Sequence, residues 1–312
     1  MYNKKMFMSV LCVWLLLIAH VAGAVSVTKG SLHTVKQFSA KQIPARDIHV
    51  WLPPNFDESQ RYPVLYMHDG QMLFDEKATW NGQEWGVDEV AGRLIERGVV
   101  KPFIVVGINN ADSARHSEYF PQQAFIKMTR QQQIHAYKMD REPGVKLFSR
   151  HVYSDKYLQF IVNELKPYID QHYPTIASKH GTFVMGSSMG GLISLYAISK
   201  YPEIFGGAAC LSTHWLGLMP HKDNPAPDAL IAYFKDSLPA PGHHKLYFDY
   251  GDKTLDKYYP PLQRTFDQHL DDKGFKPPLL KVKYYPGHAH TENAWRSRLD
   301  IPLMFLFAED KS

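Results

Sequence analysis

The chain reads as an α/β protein, a mostly parallel sheet covered by helices on both faces. Three observations predict this. Short β-type runs alternate with amphipathic helical stretches along most of the 312 residues. Most of the strand runs are apolar rather than cleanly alternating, as strands buried on both faces are. No internal repeat, low-complexity tract or Gly/Ser linker divides the chain, so a single domain over residues 25–312 is expected.

In chain order, the β-type runs fall at residues 47–52, 63–67, 103–108, 182–185, 207–211, 245–250 and 280–285. Helical periodicity appears at 87–97, 157–171, 191–200, 261–272 and 292–307. Two stretches break the rhythm. Residues 109–154 carry no clear strand and are rich in Gln, Arg, Met and aromatics. A connection that long inside a compact domain is expected to be a lid or binding insertion. Residues 214–228, with Trp215, Met219 and three prolines, form the second. Tyr119, Phe120, Phe125, His135, Tyr137, Trp215 and Met219 on these stretches offer an aromatic surface for a substrate, or equally pack the loops onto the core. Arg115, Arg130 and Arg141 either meet an anionic group or form a solvated face.

The first 24 residues differ from the rest. Lys4 and Lys5 precede an apolar stretch at 10–18, followed by Ala22, Gly23 and Ala24. That order describes a secretory signal peptide cut after Ala24. A membrane anchor needs about 20 apolar residues, and this run is shorter and followed by His20. The mature chain is therefore expected to be exported, periplasmic or secreted, without stable membrane insertion. Cys12 leaves with the signal, so Cys210 has no partner for an internal disulfide and reads as a small buried hydrophobe. Loss of Lys4 and Lys5 reduces the formal charge of +4, and no basic block remains to support nucleic-acid binding.

The chemistry concentrates in Gly186-Ser187-Ser188-Met189-Gly190, with a β run before it and a helical run after it. In Gly-x-Ser-x-Gly the glycines permit a sharp strand-to-helix turn that lifts the central hydroxyl above the sheet. Ser188 is the expected nucleophile, with Ser187 and Ser212 structural. A serine hydroxyl needs a base, and His288 and His290 stand in the loop after the last strand; His290 is preferred because Glu292 and Trp295 open a helix behind it. The acid should follow the run 245–250, where Asp249, Asp252 and Asp256 stand; Asp256 is preferred, with Glu292 a further alternative. The oxyanion hole needs two backbone donors. Met189 N–H, directly after the nucleophile, supplies one, and Gln71 N–H, in the turn His68-Asp69-Gly70-Gln71, the other. His68 and Asp69 alone do not make a metal site, which needs three or four ligands, and no cofactor is expected.

At these residues the chain resembles the esterase family of α/β hydrolases that includes feruloyl esterases, siderophore esterases, S-formylglutathione hydrolases and the antigen 85 mycolyltransferases. The resemblance covers nearly the whole mature chain. It rests on the run Leu65 to Gln71, the elbow Gly186 to Gly191 and the closing His290 to Trp295, with Trp85 to Asp88 and Arg115 to Pro121 beside them. It implies the α/β-hydrolase fold and a Ser-His-acid triad carried onto Ser188 and His290. The usual carboxylate three residues after the turn glycine is replaced by Thr254, so the resemblance does not choose the acid. The expected reaction is two-step hydrolysis of a small-molecule or carbohydrate-linked ester. An acyltransferase of the same fold and a non-catalytic exported binding protein are the alternatives.

Overall fold

The computed structural model describes residues 25–308; the expected signal segment 1–24 lies outside them. Among the described residues ten strands form: β1 (Ser31–Phe38), β2 (Arg46–Leu52), β3 (Val64–His68), β4 (Ile104–Ile108), β5 (Asp140–Glu142), β6 (Val145–Lys146), β7 (Thr182–Ser187), β8 (Gly207–Leu211), β9 (Lys245–Tyr250) and β10 (Leu280–Tyr284). β5 and β6 pair only with each other. The other eight make one sheet in the order β1-β2-β4-β3-β7-β8-β9-β10. From β4 to β10 every pairing is parallel, and β2 is antiparallel to both its neighbours.

The central strands are apolar on both faces because both faces are covered. Val64, Tyr66, Val184, Ala208, Cys210 and Phe248 face one core, while Leu65, Met67, Met185, Ala209, Leu211 and Tyr247 face the other, the period-two alternation of a pleated strand. The first core is covered by α5 and others of the helices that follow in chain order: α1 (Val87–Glu96), α2 (Arg115–Tyr119), α3 (Gln122–Lys127), α4 (Arg130–Lys138), α5 (Ser154–Phe160), α6 (Lys166–His172), α7 (Met189–Lys200), α8 (Ala226–Ser237), α9 (Tyr259–Asp272), α10 (Glu292–Arg296) and α11 (Asp300–Phe307). α5 to α9 pack on the first core and α1 and α11 on the second. Among the described residues no helix is long and apolar enough to cross a membrane.

Three elements depart from the sequence reading. β1 was not anticipated: it is an edge strand with a largely exposed, polar sequence, anchored by Leu32, Val35 and Phe38. The expected helix at 292–307 is two helices, α10 and α11, separated at 297–299. α8 begins inside the second irregular stretch, with Pro225 at its N-cap and Pro227 in its first turn, where a missing N–H costs no intrahelical bond. The insertion 109–154 folds into short helices and the β5/β6 hairpin. Tyr119, Phe120, Phe125 and Trp215 are buried in the first core, so they pack the loops rather than offering a substrate surface.

Candidate active site

The residues singled out in the sequence collect at the carboxyl ends of the parallel strands, where ligands bind in open α/β sheets. A cleft of about 880 Å³ opens there, and its walls include Gln71, Ser188, His290, Glu292 and Arg115.

Ser188 follows β7 with φ 59° and ψ −123°, a strained conformation for a residue with a side chain. Backbone hydrogen bonds from both sides hold it. Its N–H donates to Leu211 O at 2.9 Å, and its carbonyl accepts from Gly191 at 3.0 Å and His214 at 3.1 Å. A Cβ at Gly186 would lie 2.7 Å from the backbone of Gly190, so the turn closes only with glycine there. Met189 begins α7 and carries a helix N–H without an intrahelical acceptor.

His290 and Asp256 come together from the loops after β10 and β9. His290 Nδ1 lies 2.5 Å from Asp256 Oδ1, and Asp256 is fully buried. The other carboxylate oxygen accepts Ser212 Oγ–H at 2.6 Å and Gly251 N–H at 2.7 Å. Burial would raise the Asp256 carboxyl, but His290, Ser212 and Gly251 outweigh it and hold it below the usual carboxylate range. A neutral imidazole that donates Nδ1–H to this carboxylate leaves Nε2 as an acceptor, and His290 lines the cleft. Trp295 packs edge-on against the imidazole, with ring centroids 5.0 Å apart, and fixes its plane.

The alternative carboxylates have other partners. Asp249 is buried in β9 and paired with Arg298 at 2.8 Å. Asp252 accepts Tyr284 OH at 2.6 Å and Gly287 N–H at 2.9 Å at the loop surface. Glu292 lines the cleft and accepts from Asn81 at 2.9 Å. The carbonyl of His288 accepts Asp252 N–H and Lys253 N–H at 3.1 and 3.0 Å, which ties its loop to the turn after β9.

Gln71 stands in the 3-10 turn Gly70–Met72, directly after β3. A Cβ at Gly70 would fall 2.6 Å from the backbone of Gly107, so glycine lets this turn lie flat on β4. His68 and Asp69 face protein groups: His68 Nδ1 is 2.7 Å from Tyr157 OH, and Asp69 forms a two-pronged ion pair with Arg115 at 2.6 and 2.7 Å.

Sequence reasoning missed several members of this arrangement. Ser212 was read as structural, yet its hydroxyl donates to Asp256 and accepts Trp295 Nε1–H at 3.0 Å and Arg298 Nη2–H at 2.9 Å. Tyr259 OH bonds His214 Nδ1 at 2.7 Å, and the Tyr259 ring packs against His290 with centroids 5.7 Å apart. Trp80 stands at the cleft, 83% exposed. No local motif marks any of the three. Of the arginines, Arg115 and Arg141 line the cleft, whereas Arg130 is exposed away from it.

A parallel sheet wrapped on both faces, with a Gly-x-Ser-x-Gly turn at a strand end, defines an α/β hydrolase. Solved structures share that fold: a ferulic acid esterase (TM-score 0.60, 19% identity, 89% of this chain and 98% of that one) and an IroE-like serine hydrolase from Shewanella oneidensis (TM-score 0.64, 20% identity, 89% and 80%). An enterobactin esterase from Shigella flexneri aligns with TM-score 0.63 and 17% identity over 90% of this chain and 60% of its own. The chain belongs to the family described as "Putative esterase", which matches residues 44–300, and is a carboxylic ester hydrolase. Among related sequences, the uncharacterized protein YbbA of Bacillus subtilis is 23% identical over 86% of this chain and 94% of its own length. The ferri-bacillibactin esterase BesA of the same organism is 29% identical over 49% of each chain.

Proposed function

We propose that this protein is an exported serine esterase, a single catalytic domain over residues 25–312 with a binding insertion around 109–154, that works through Ser188, His290 and Asp256. The observation that carries this reading is the 2.5 Å contact between His290 and buried Asp256, in the same cleft as the strained Ser188.

His290 Nε2 takes the Ser188 proton as Oγ attacks the ester carbonyl carbon. The tetrahedral oxyanion rests on the N–H groups of Gln71 and Met189. The imidazolium, held by Asp256, passes the proton to the leaving alkoxide, and the alcohol departs from an acyl-enzyme. Water, deprotonated by His290, then attacks the acyl carbon, and collapse of the second tetrahedral adduct returns the proton to Ser188 Oγ and releases the acid.

The names of the relatives suggest the substrate: a ferulate ester, a siderophore ester such as bacillibactin or enterobactin, or another small-molecule or carbohydrate-linked ester. The test is release of 4-nitrophenol from short-chain acyl esters by the full chain expressed for export, beside Ser188→Ala. Activity lost in a folded variant supports the reading; equal activity in both overturns Ser188 as nucleophile. Mass determination of the exported chain tests cleavage after Ala24.

A further inference from the structure

The turn that carries Gln71 is not held by its own strand alone. Asp69, two residues earlier, has a left-handed backbone (φ 59°) that turns its carboxylate back toward the insertion. There it accepts from Arg115 Nε at 2.6 Å and Nη2 at 2.7 Å, and from Asn110 Nδ2 at 2.7 Å. Asn110 N–H in turn donates to Gln71 Oε1 at 3.2 Å, and Asp69 N–H donates to Tyr119 OH at 3.3 Å. On its far side, the Asp69 carboxylate lies 3.3 Å from where a Gly190 Cβ would stand. Asp69 therefore ties the Gln71 turn to the insertion and lies beside the nucleophile turn.

The insertion is itself anchored. Glu118, one helical turn after Arg115 on α2, is buried against Arg46 of β2 in a second two-pronged pair at 2.7 and 2.8 Å. α2 is thus clamped at one end to the sheet and at the other to the Gln71 turn. An isolated carboxylate this close to a developing oxyanion would oppose it; the Arg115 guanidinium neutralises that charge and spans the fork geometry that a lysine lacks.

We infer that Asp69 and Arg115 are positioning residues for the oxyanion hole: their ion pair sets the Gln71 N–H against the carbonyl oxygen, so that the insertion is part of the catalytic apparatus as well as a wall of the cleft. This inference rests on the reading of Ser188 as nucleophile and of Gln71 and Met189 as donors.

The test is a double-mutant cycle on 4-nitrophenyl acetate with Arg115→Ala, Asp69→Asn and both together, with Arg115→Lys as the milder variant. Loss of one oxyanion donor costs about 100- to 1,000-fold in kcat; partial misalignment is expected to lower kcat about 10- to 100-fold with KM within about 3-fold. The double variant should be no worse than the poorer single one, because the two side chains act as a unit. Affinity for an alkyl boronic acid, which mimics the tetrahedral adduct, should fall in step with kcat/KM, whereas affinity for the carboxylate product should not. A rise in KM alone, additive losses, or an unchanged boronic acid affinity overturns the inference. If Arg115→Ala does not fold, the same two affinities are read in Arg115→Lys and Asn110→Ala. Where Ser188→Ala is inactive and these variants are not impaired, this inference alone fails; where Ser188→Ala stays active, the serine reading beneath it fails.

Discussion

The hydroxyl oxygen of Thr254 accepts the backbone N–H of His290 at 2.8 Å, joining the loop after β9 to the loop after β10. Thr254 holds a left-handed backbone (φ 50°), which turns the chain so that Asp256, two residues later, points inward at His290 Nδ1. Thr254 opens the 3-10 turn Thr254–Tyr258, so the residue that anchors the His290 backbone and the carboxylate that meets its imidazole stand on the same short turn. Thr254→Ala removes the anchor and should lower kcat about 3- to 10-fold, in line with one lost hydrogen bond of about 1 kcal/mol. Thr254→Ser keeps the hydroxyl and should retain activity. Steady-state kinetics on 4-nitrophenyl acetate distinguishes the two.

The choice among carboxylates is tested by Asp256→Asn beside Asp252→Asn. The first should reduce kcat by about 10⁴, because an amide no longer holds the imidazole in the tautomer that leaves Nε2 free to accept. The second changes a surface contact and should stay within about 2-fold. Equal losses in both would remove Asp256 from the proposed triad.

Ser212→Ala should damage stability as well as turnover. It leaves one Asp256 oxygen short of a donor and deprives the buried Trp295 and Arg298 donors of their shared acceptor. Buried groups left without partners cost about 1–3 kcal/mol each. A lower midpoint in urea together with a reduced kcat is expected; an unchanged midpoint would show that these donors find other partners.

Acid should destabilise the protein before its carboxylates protonate. Burial lowers the His68 imidazole to about 3, and burial also holds His214 well below its ordinary value. The unfolded chain takes these protons near the ordinary histidine value of about 6.5, so between there and about 3 the unfolded state binds more protons than the folded one. Stability must fall with pH across that window, by about 1.4 kcal/mol per pH unit for each such histidine. Urea midpoints at pH 7, 6 and 5 measure the slope, and His68→Gln should make it shallower. An identical slope in the variant would show that His68 titrates in the fold.

Trp80 is exposed and so adds little to the core, yet it stands at the cleft beside Asn81, whose amide is bonded to Glu292. Trp80→Ala should leave the urea midpoint and the turnover of 4-nitrophenyl acetate unchanged. It should raise KM for esters large enough to reach the rim, a feruloyl ester among them. Kinetics on the small and the large ester in parallel provide the check, and equal effects on both count against a binding role.

The parts of this protein legible without a structure are those governed by neighbours in the chain. The apolar runs of β3, β4, β7, β8 and β9 declare strands buried on both faces, and Gly186 and Gly190 around Ser188 declare a sharp turn, because backbone sterics and periodicity act over a few residues. β1 escaped because an edge strand carries little apolar signal, and α8 because its prolines, seen alone, read as loop. Side-chain pairing across long loops obeys no such local rule. Asp256 meets His290 across 34 positions, Ser212 meets Asp256 across 44 and Arg115 meets Asp69 across 46. The sequence by itself thus determined the fold class and the strained serine. Only the tertiary structure decided which carboxylate faces which histidine and what braces the Gln71 turn, since those contacts exist only once the sheet has brought the ends of separate strands to one edge.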